Sequence, residues 1–142
     1  MPLSTDDVVA IQQLYANYNH LVDSGRGADW AATFVEDGTL DTGMGFAVEG
    51  TPSARTEFGD NVPVMMPGSR HVASNVWVDG DGSNAVGSAY LQLWVADEAT
   101  GGSKLLVSGL YRDTLRRTED GWRFVARVLV PDAGQATPGS LD

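Results

Sequence analysis

The chain has 142 residues, enough for one domain that buries roughly two thirds of the surface its unfolded form would expose, so an internal pocket is feasible. Apolar residues make up 42% and charged residues 20%, near the globular average, and the formal charge is −10, with Lys104 as the one lysine against eight arginines. That charge argues against a nucleic-acid partner or an anionic membrane surface, and the absence of cysteine excludes disulfides, thiolate catalysis and cysteine-ligated zinc.

The N-terminal "MPLSTDDVVA" has neither the basic region nor the apolar run of a signal peptide, so a cytoplasmic protein is expected. Ser4, Thr5, Asp6 and Asp7 offer cap oxygens and negative charge where a helix start favours them. Val8, Ile11, Leu14, Tyr15, Tyr18, Leu21 and Val22 then recur at helical spacing until Gly25, which predicts an amphipathic helix of about five turns. A short second helix is expected from Asp29, capping "WAATFV", and a third from Thr51, with Pro52 at its first position. Between them "GTLDTGMGFAVEG" reads as a hairpin. From Arg70 onward "RHVASNVWV", "SNAVGSAYLQLWVA", "KLLVSGLYRDTLRRT" and "GWRFVARVLV" read as four strands, joined by "DGDG", "EATGG" and "EDG" as an antiparallel meander. Helices first and a sheet afterwards give an α+β domain over residues 1–142, its core at about 5–130 and a flexible tail at 131–142.

Several residue patterns bear on chemistry. "VDGDGSN" has the alternate oxygen spacing that opens a calcium loop but lacks the closing glutamate and joins two strands, so it reads as a hairpin turn. His20, Asp23 and His71 have the composition of a two-histidine, one-carboxylate metal site, yet the helical wheel turns His20 toward solvent, and no metal is expected. Tyr18 falls within the apolar stripe, as a core aromatic or a buried hydroxyl donor. Asp23 stands at a helix C-terminus, where the dipole disfavours negative charge, and reads either as a carboxylate that serves the following turn or as a functional group. Simple alternation puts Arg123 and Arg127 on one face of the last strand with Val125 and Leu129, and Trp122, Phe124, Ala126 and Val128 on the other. If buried, Arg127 requires an anion or a carboxylate.

The order "IQQLYANYNHLVDSG", "DWAATF", "EDGTLD", "VEGTPSA", "RHVASNVWVDGDGSNAVGSAYLQL" and "GLYRDTLRRTEDGWRFVARVLV" resembles the SnoaL-like branch of the NTF2-like superfamily over about residues 5–130. That superfamily includes scytalone and bile-acid dehydratases, hexachlorocyclohexane dehydrochlorinase, ketosteroid isomerase, limonene epoxide hydrolase and polyketide cyclases. The resemblance implies a cone-shaped, curved antiparallel sheet wrapped around the N-terminal helices, with a deep apolar pocket. It implies a catalytic aspartate at Asp23, histidine at His71, tyrosine at Tyr18 and late-strand arginine at Arg127. His71 would abstract a proton, Asp23 would orient it, Tyr18 would hydrogen-bond a carbonyl or leaving oxygen and Arg127 would offset developing charge, with no cofactor. The expected activity is a dehydratase-type elimination, with isomerisation, polyketide cyclisation or a non-catalytic binding role as alternatives. Trp30, Phe34, Met65, Met66, Trp77, Tyr90 and Trp94 are the expected pocket wall, their bulk suiting a polycyclic, steroid, terpenoid or polyketide ligand. The family also implies a homodimer through the sheet face. Two motifs are missing: no second aspartate of the ketosteroid isomerase kind is evident among Tyr90, Gln92 and Trp94, nor is the Asp-Arg-Asp arrangement of the epoxide hydrolases.

Overall fold

Ser4 begins the fold by closing a capping box: its hydroxyl accepts the Asp7 amide at 3.1 Å, and the Asp7 carboxylate accepts the Ser4 amide at 3.1 Å. The computed structural model describes residues 2–132. Its elements are α1 (Thr5–Asp23), α2 (Gly27–Ala31), β1 (Phe34–Asp41), β2 (Ala47–Val48), α3 (Pro52–Met65), β3 (Arg70–Gly80), β4 (Asn84–Asp97), β5 (Gly102–Thr118) and β6 (Gly121–Pro131). Residues 133–142 of the expected tail lie outside the described residues, and Pro131 belongs to β6 rather than to a tail. Among the described residues no helix is long and apolar enough to cross a membrane.

The helices α1 and α3 begin where their caps predict, whereas α2 does not begin at Asp29. It starts at Gly27, whose amide donates to the Asp60 carboxylate on α3 at 2.9 Å, so its cap comes from a distant part of the chain. Phe34 and Val35, expected to extend that helix, open β1 instead.

Six strands form one curved, unclosed sheet in the order β2-β1-β6-β5-β4-β3. The last four make the expected antiparallel meander. The edge of the sheet departs from a wholly antiparallel arrangement, because β1 joins β6 in parallel. No tight turn links those two strands, so none dictates their direction.

Two bulges decide which side chains face the hollow of the sheet. In β6, Phe124 pairs with Leu115 and Ala126 with Thr114, leaving Val125 as an extra residue. The alternation flips there, so Arg127 and Leu129 share the inner face with Trp122 and Phe124, correcting the facing read from simple alternation. In β3 the pairing shifts between Ser74 and Trp77 around Asn75, whose φ of 54° is left-handed. Trp77 is thereby turned outward. The inner face packs on α1 around Tyr18, whose ring centre lies 5.4 Å from Trp30, 5.5 Å from Phe124 and 5.9 Å from Phe34. Each such aromatic, fully buried, contributes about 1.5–3 kcal/mol of apolar transfer energy.

Candidate active site

Asp23 is the last residue of α1 and His71 the second of β3, and the packing of that helix end on the edge strand brings them together. The Asp23 carboxylate accepts the His71 backbone amide at 3.0 and 3.2 Å and lies 2.6 Å from His71 Nδ1. A strand amide thus supplies the partner that a carboxylate at a helix C-terminus needs. With the carboxylate ionised, Nδ1 carries the proton and donates it, which leaves the Nε2 lone pair as the free base. The two side chains are 14% and 10% exposed, so the pair sits in the wall of the protein rather than in its core or on its surface.

That wall has two sides. On the inside is a cavity of about 40 Å³, bounded by His71, Tyr18 and Tyr111 and otherwise by apolar side chains, with Thr42 as the other polar neighbour. This is the scale of one or two water molecules, much smaller than a polycyclic ligand. Met44, Met66 and Phe58 border it, and methionines are the side chains that repack most readily. On the outside is an open groove of about 400 Å³ lined by Asn19, His20, Asp23, Ser69, Arg70 and His71. His20 is exposed, as the helical wheel predicts.

Of the residues expected in the pocket, His71, Tyr18 and Met66 line the cavity and Asp23 stands behind His71. Trp30 and Phe34 are buried one layer back, against Tyr18. Trp77, Tyr90, Trp94 and Met65 are not wall residues. Trp77 is 59% and Tyr90 57% exposed; Tyr90 and Trp94 alternate with the inward Ala89, Leu91 and Leu93 on β4, and the Asn75 bulge puts Trp77 on the same outer face. Met65 ends α3 at 55% exposure.

Arg127 is fully buried but does not border the cavity: it lies beneath, in a layer that sequence reading did not anticipate. Its Nε and Nη2 donate to Asp113 Oδ1 and Oδ2 at 3.0 and 3.2 Å, and the Tyr15 hydroxyl donates to the same carboxylate. The guanidinium carbon lies 3.5 Å from the ring centre of Tyr111, 4.4 Å from those of Tyr18 and Phe124, and 4.8 Å from that of Tyr15. Burial pushes the Tyr15, Tyr18 and Tyr111 phenols up from their ordinary range, the Arg127 charge pulling the other way in each. Burial also pushes the Asp113 carboxyl up against the pull of Arg127. For Arg127 burial lowers the pKa, and the Asp113 carboxylate overrides it and raises it, so the cation persists. Tyr111 and Asp113 were legible in principle, since alternation along β5 places both with Val107 and Leu115, and an aspartate on an apolar face signals a buried partner.

The SnoaL-like domain model matches residues 4–128, nearly the whole of the described chain. The chain belongs to the SnoaL-like family. This SnoaL-like protein is 29% identical over 125 residues to an uncharacterized protein of Mycobacterium tuberculosis, covering 86% of this chain and 83% of the relative. It is also similar to the solved structure of a function-unknown protein from the same organism, at 31% identity and a TM-score of 0.80, with 88% of this chain and 71% of that one covered. An NTF2-like protein with a cystatin-like fold from Novosphingobium aromaticivorans matches at 27% identity and a TM-score of 0.81, covering 96% and 90%. The fold of this SnoaL-like protein is accordingly the NTF2-like one, an α+β curved sheet around N-terminal helices.

Proposed function

We propose that this SnoaL-like protein is a cofactor-independent lyase of the dehydratase type, with His71 as the base. The observation that carries the reading is the 2.6 Å contact from Nδ1 to Asp23, which leaves Nε2 free on a ring that borders an apolar cavity. In the step envisaged, Nε2 takes the proton from a carbon next to a carbonyl, the C–H pair becomes a carbon-carbon double bond, and the β-hydroxyl departs. The imidazolium returns that proton to the departing oxygen, so water leaves. Asp23 holds the tautomer and offsets the imidazolium charge, and Tyr18 donates a hydrogen bond to the carbonyl oxygen. Arg127 acts from beneath, through the tyrosine rings it touches.

Elimination is favoured over isomerisation or ring closure by the position of the dyad. An isomerase or a cyclase must hand the proton back to carbon, whereas here the dyad also borders the solvent-facing groove, an exit for the product water. The substrate class that fits is an apolar, ring-bearing hydroxy ketone, admitted as Met44 and Met66 repack. A panel of β-hydroxy ketones and polycyclic hydroxy compounds tests the reading. His71→Ala is expected to lower kcat by about 10²–10⁴-fold, and Asp23→Asn, which leaves an oxygen to accept the His71 amide, to lower it as well. Turnover undiminished in both variants rejects the dyad.

We propose in addition a homodimer through the outer face of the sheet. Trp77, Tyr90, Val72, Val128 and Val130 are all more than a third exposed there, a contiguous apolar surface of the kind that soluble monomers avoid. Sedimentation at micromolar concentration is expected to show a dimer that Trp77→Ser with Tyr90→Ser converts to monomer; a monomeric wild type overturns it.

A further inference from the structure

The cavity, at about 40 Å³, is smaller than the ring-bearing substrate proposed for it, and the concave face of the sheet continues beyond it. Cross-strand partners share a face, and toward the β4–β5 turn the inward pairs run Ala89 with Tyr111, Leu93 with Val107 and then Val95 with Lys104. Simple alternation from Val107 would turn Leu105 inward. The extra residue at Leu106 reverses the order and brings Lys104 in instead. Val95 and Lys104 line a groove of about 440 Å³ outside the cavity, with Met65, Met66, Pro67 and Leu106 on its apolar side.

Among the described residues Met66 alone borders both the groove and the cavity. Its backbone is fastened on both sides. The Met66 amide donates to the Val62 carbonyl at 2.8 Å, the Met66 carbonyl accepts the Ser69 amide at 3.1 Å, and the Pro67 carbonyl accepts the Ala96 amide on β4 at 3.0 Å. The side chain is what can yield, and an unbranched thioether does so at little cost. On the groove side of this partition stands Lys104, the only lysine of the chain. It forms no ion pair among the described residues, although Asp97 and Glu98 border the same groove. Asp97 is turned into the hairpin loop, where its Oδ1 accepts the Ala99 amide at 3.1 Å. An unpaired ammonium at the end of an apolar floor suits a ligand that is apolar along its length and anionic at its tip. We infer that the groove is the second half of the substrate site, and that it takes an elongated, ring-bearing carboxylate. The ring passes Met66 into the cavity, the carboxylate stays at Lys104, and Met66 sets the width of ring admitted. The inference rests on the proposed elimination for the reaction it serves, but the binding itself is read without turnover.

The probes are 5-(2-naphthyl)pentanoate and its neutral counterpart 5-(2-naphthyl)pentan-1-ol, with binding measured by equilibrium dialysis. Lys104→Met keeps the apolar stem and is expected to weaken the acid about fivefold at low salt, the upper end for an exposed ion pair, with the alcohol within twofold. High salt is expected to remove most of that loss, and Lys104→Arg to restore acid binding. Arg112→Met deletes the same charge from the exposed face of β5 and is expected to leave the acid within twofold. Met65→Trp, which fills the groove from an exposed position, is expected to weaken both probes about tenfold or more. Met66→Ala is expected to favour the broader 5-(9-phenanthryl)pentanoate over the naphthyl acid relative to wild type. Acid binding by Lys104→Met equal to wild type, equal losses in Lys104→Met and Arg112→Met, or no saturable binding to wild type overturns the inference. An unchanged ring preference in Met66→Ala overturns the gate. If dehydration depends on His71 while Lys104→Met binds the acid normally, this inference fails alone. If His71→Ala keeps full turnover while acid binding still depends on Lys104, the base assignment fails and the groove stands.

Discussion

Two carboxylates in this molecule each hold a basic partner, and they are built for opposite purposes. Asp23 and His71 stand in the wall, 14% and 10% exposed, with water on one side and a small cavity on the other. Asp113 and Arg127 lie fully inside, their side chains 0% exposed, closed in by aromatic rings. A proton can reach the first pair; it reaches the second only if the core opens. The wall pair is therefore suited to exchange protons and the floor pair to keep a fixed charge, and depth alone separates the two roles.

The contrast is sharpest in stability. Asp113→Ala strands the Arg127 charge in the core and is expected to lower the unfolding free energy by about 3–5 kcal/mol in denaturant titration, whereas Asp113→Leu with Arg127→Met is expected to be at least as stable as wild type. A double variant as damaged as the single one would mean that the floor pair itself supports the fold. At the wall, Asp23→Asn keeps an acceptor for the His71 amide and is expected to cost no more than about 1 kcal/mol in the same titration.

The smallest effect concerns a third carboxylate, at the rim. The indole of Trp122, the Ser4 amide and hydroxyl and Arg117 hold Asp7 well below the usual carboxylate range, at about 2. A depressed folded-state pKa stabilises the protein above the unfolded value near 4 and loses that contribution as pH falls from about 4 to about 2. Asp7→Asn is expected to flatten the melting temperature across that interval and to leave its slope above pH 5 unchanged. An unaltered acid slope would exclude Asp7 as its source.

Much of the wall site could be read from residue order. Tyr18 and Asp23 follow from helical spacing, and the family resemblance paired Asp23 with His71 across 48 positions. The cap residues gave α1 and α3 correctly because those caps are local, while α2 was misplaced because its cap, Asp60, is 33 residues away. The floor was hidden for a related reason. Alternation is reliable only as far as the next bulge, and the extra residues at Val125 and near Asn75 reverse it just before Arg127 and Trp77. Bulk misled as well: Trp77, Tyr90 and Trp94 are large enough for a pocket wall, yet the pleat turns them outward, while the less conspicuous Tyr111 and Asp113 face in.

Asp23 grips β3 twice, once through the His71 ring and once through the His71 amide, and β3 is an outermost strand with a neighbour on one side only. The residue that would tune the chemistry is thus also the clasp fastening the margin of the sheet to the first helix. Any loosening of that clasp frays the border and blunts the reagent together, so selection for a sharper catalyst and selection for a tighter seam act on the same side chain.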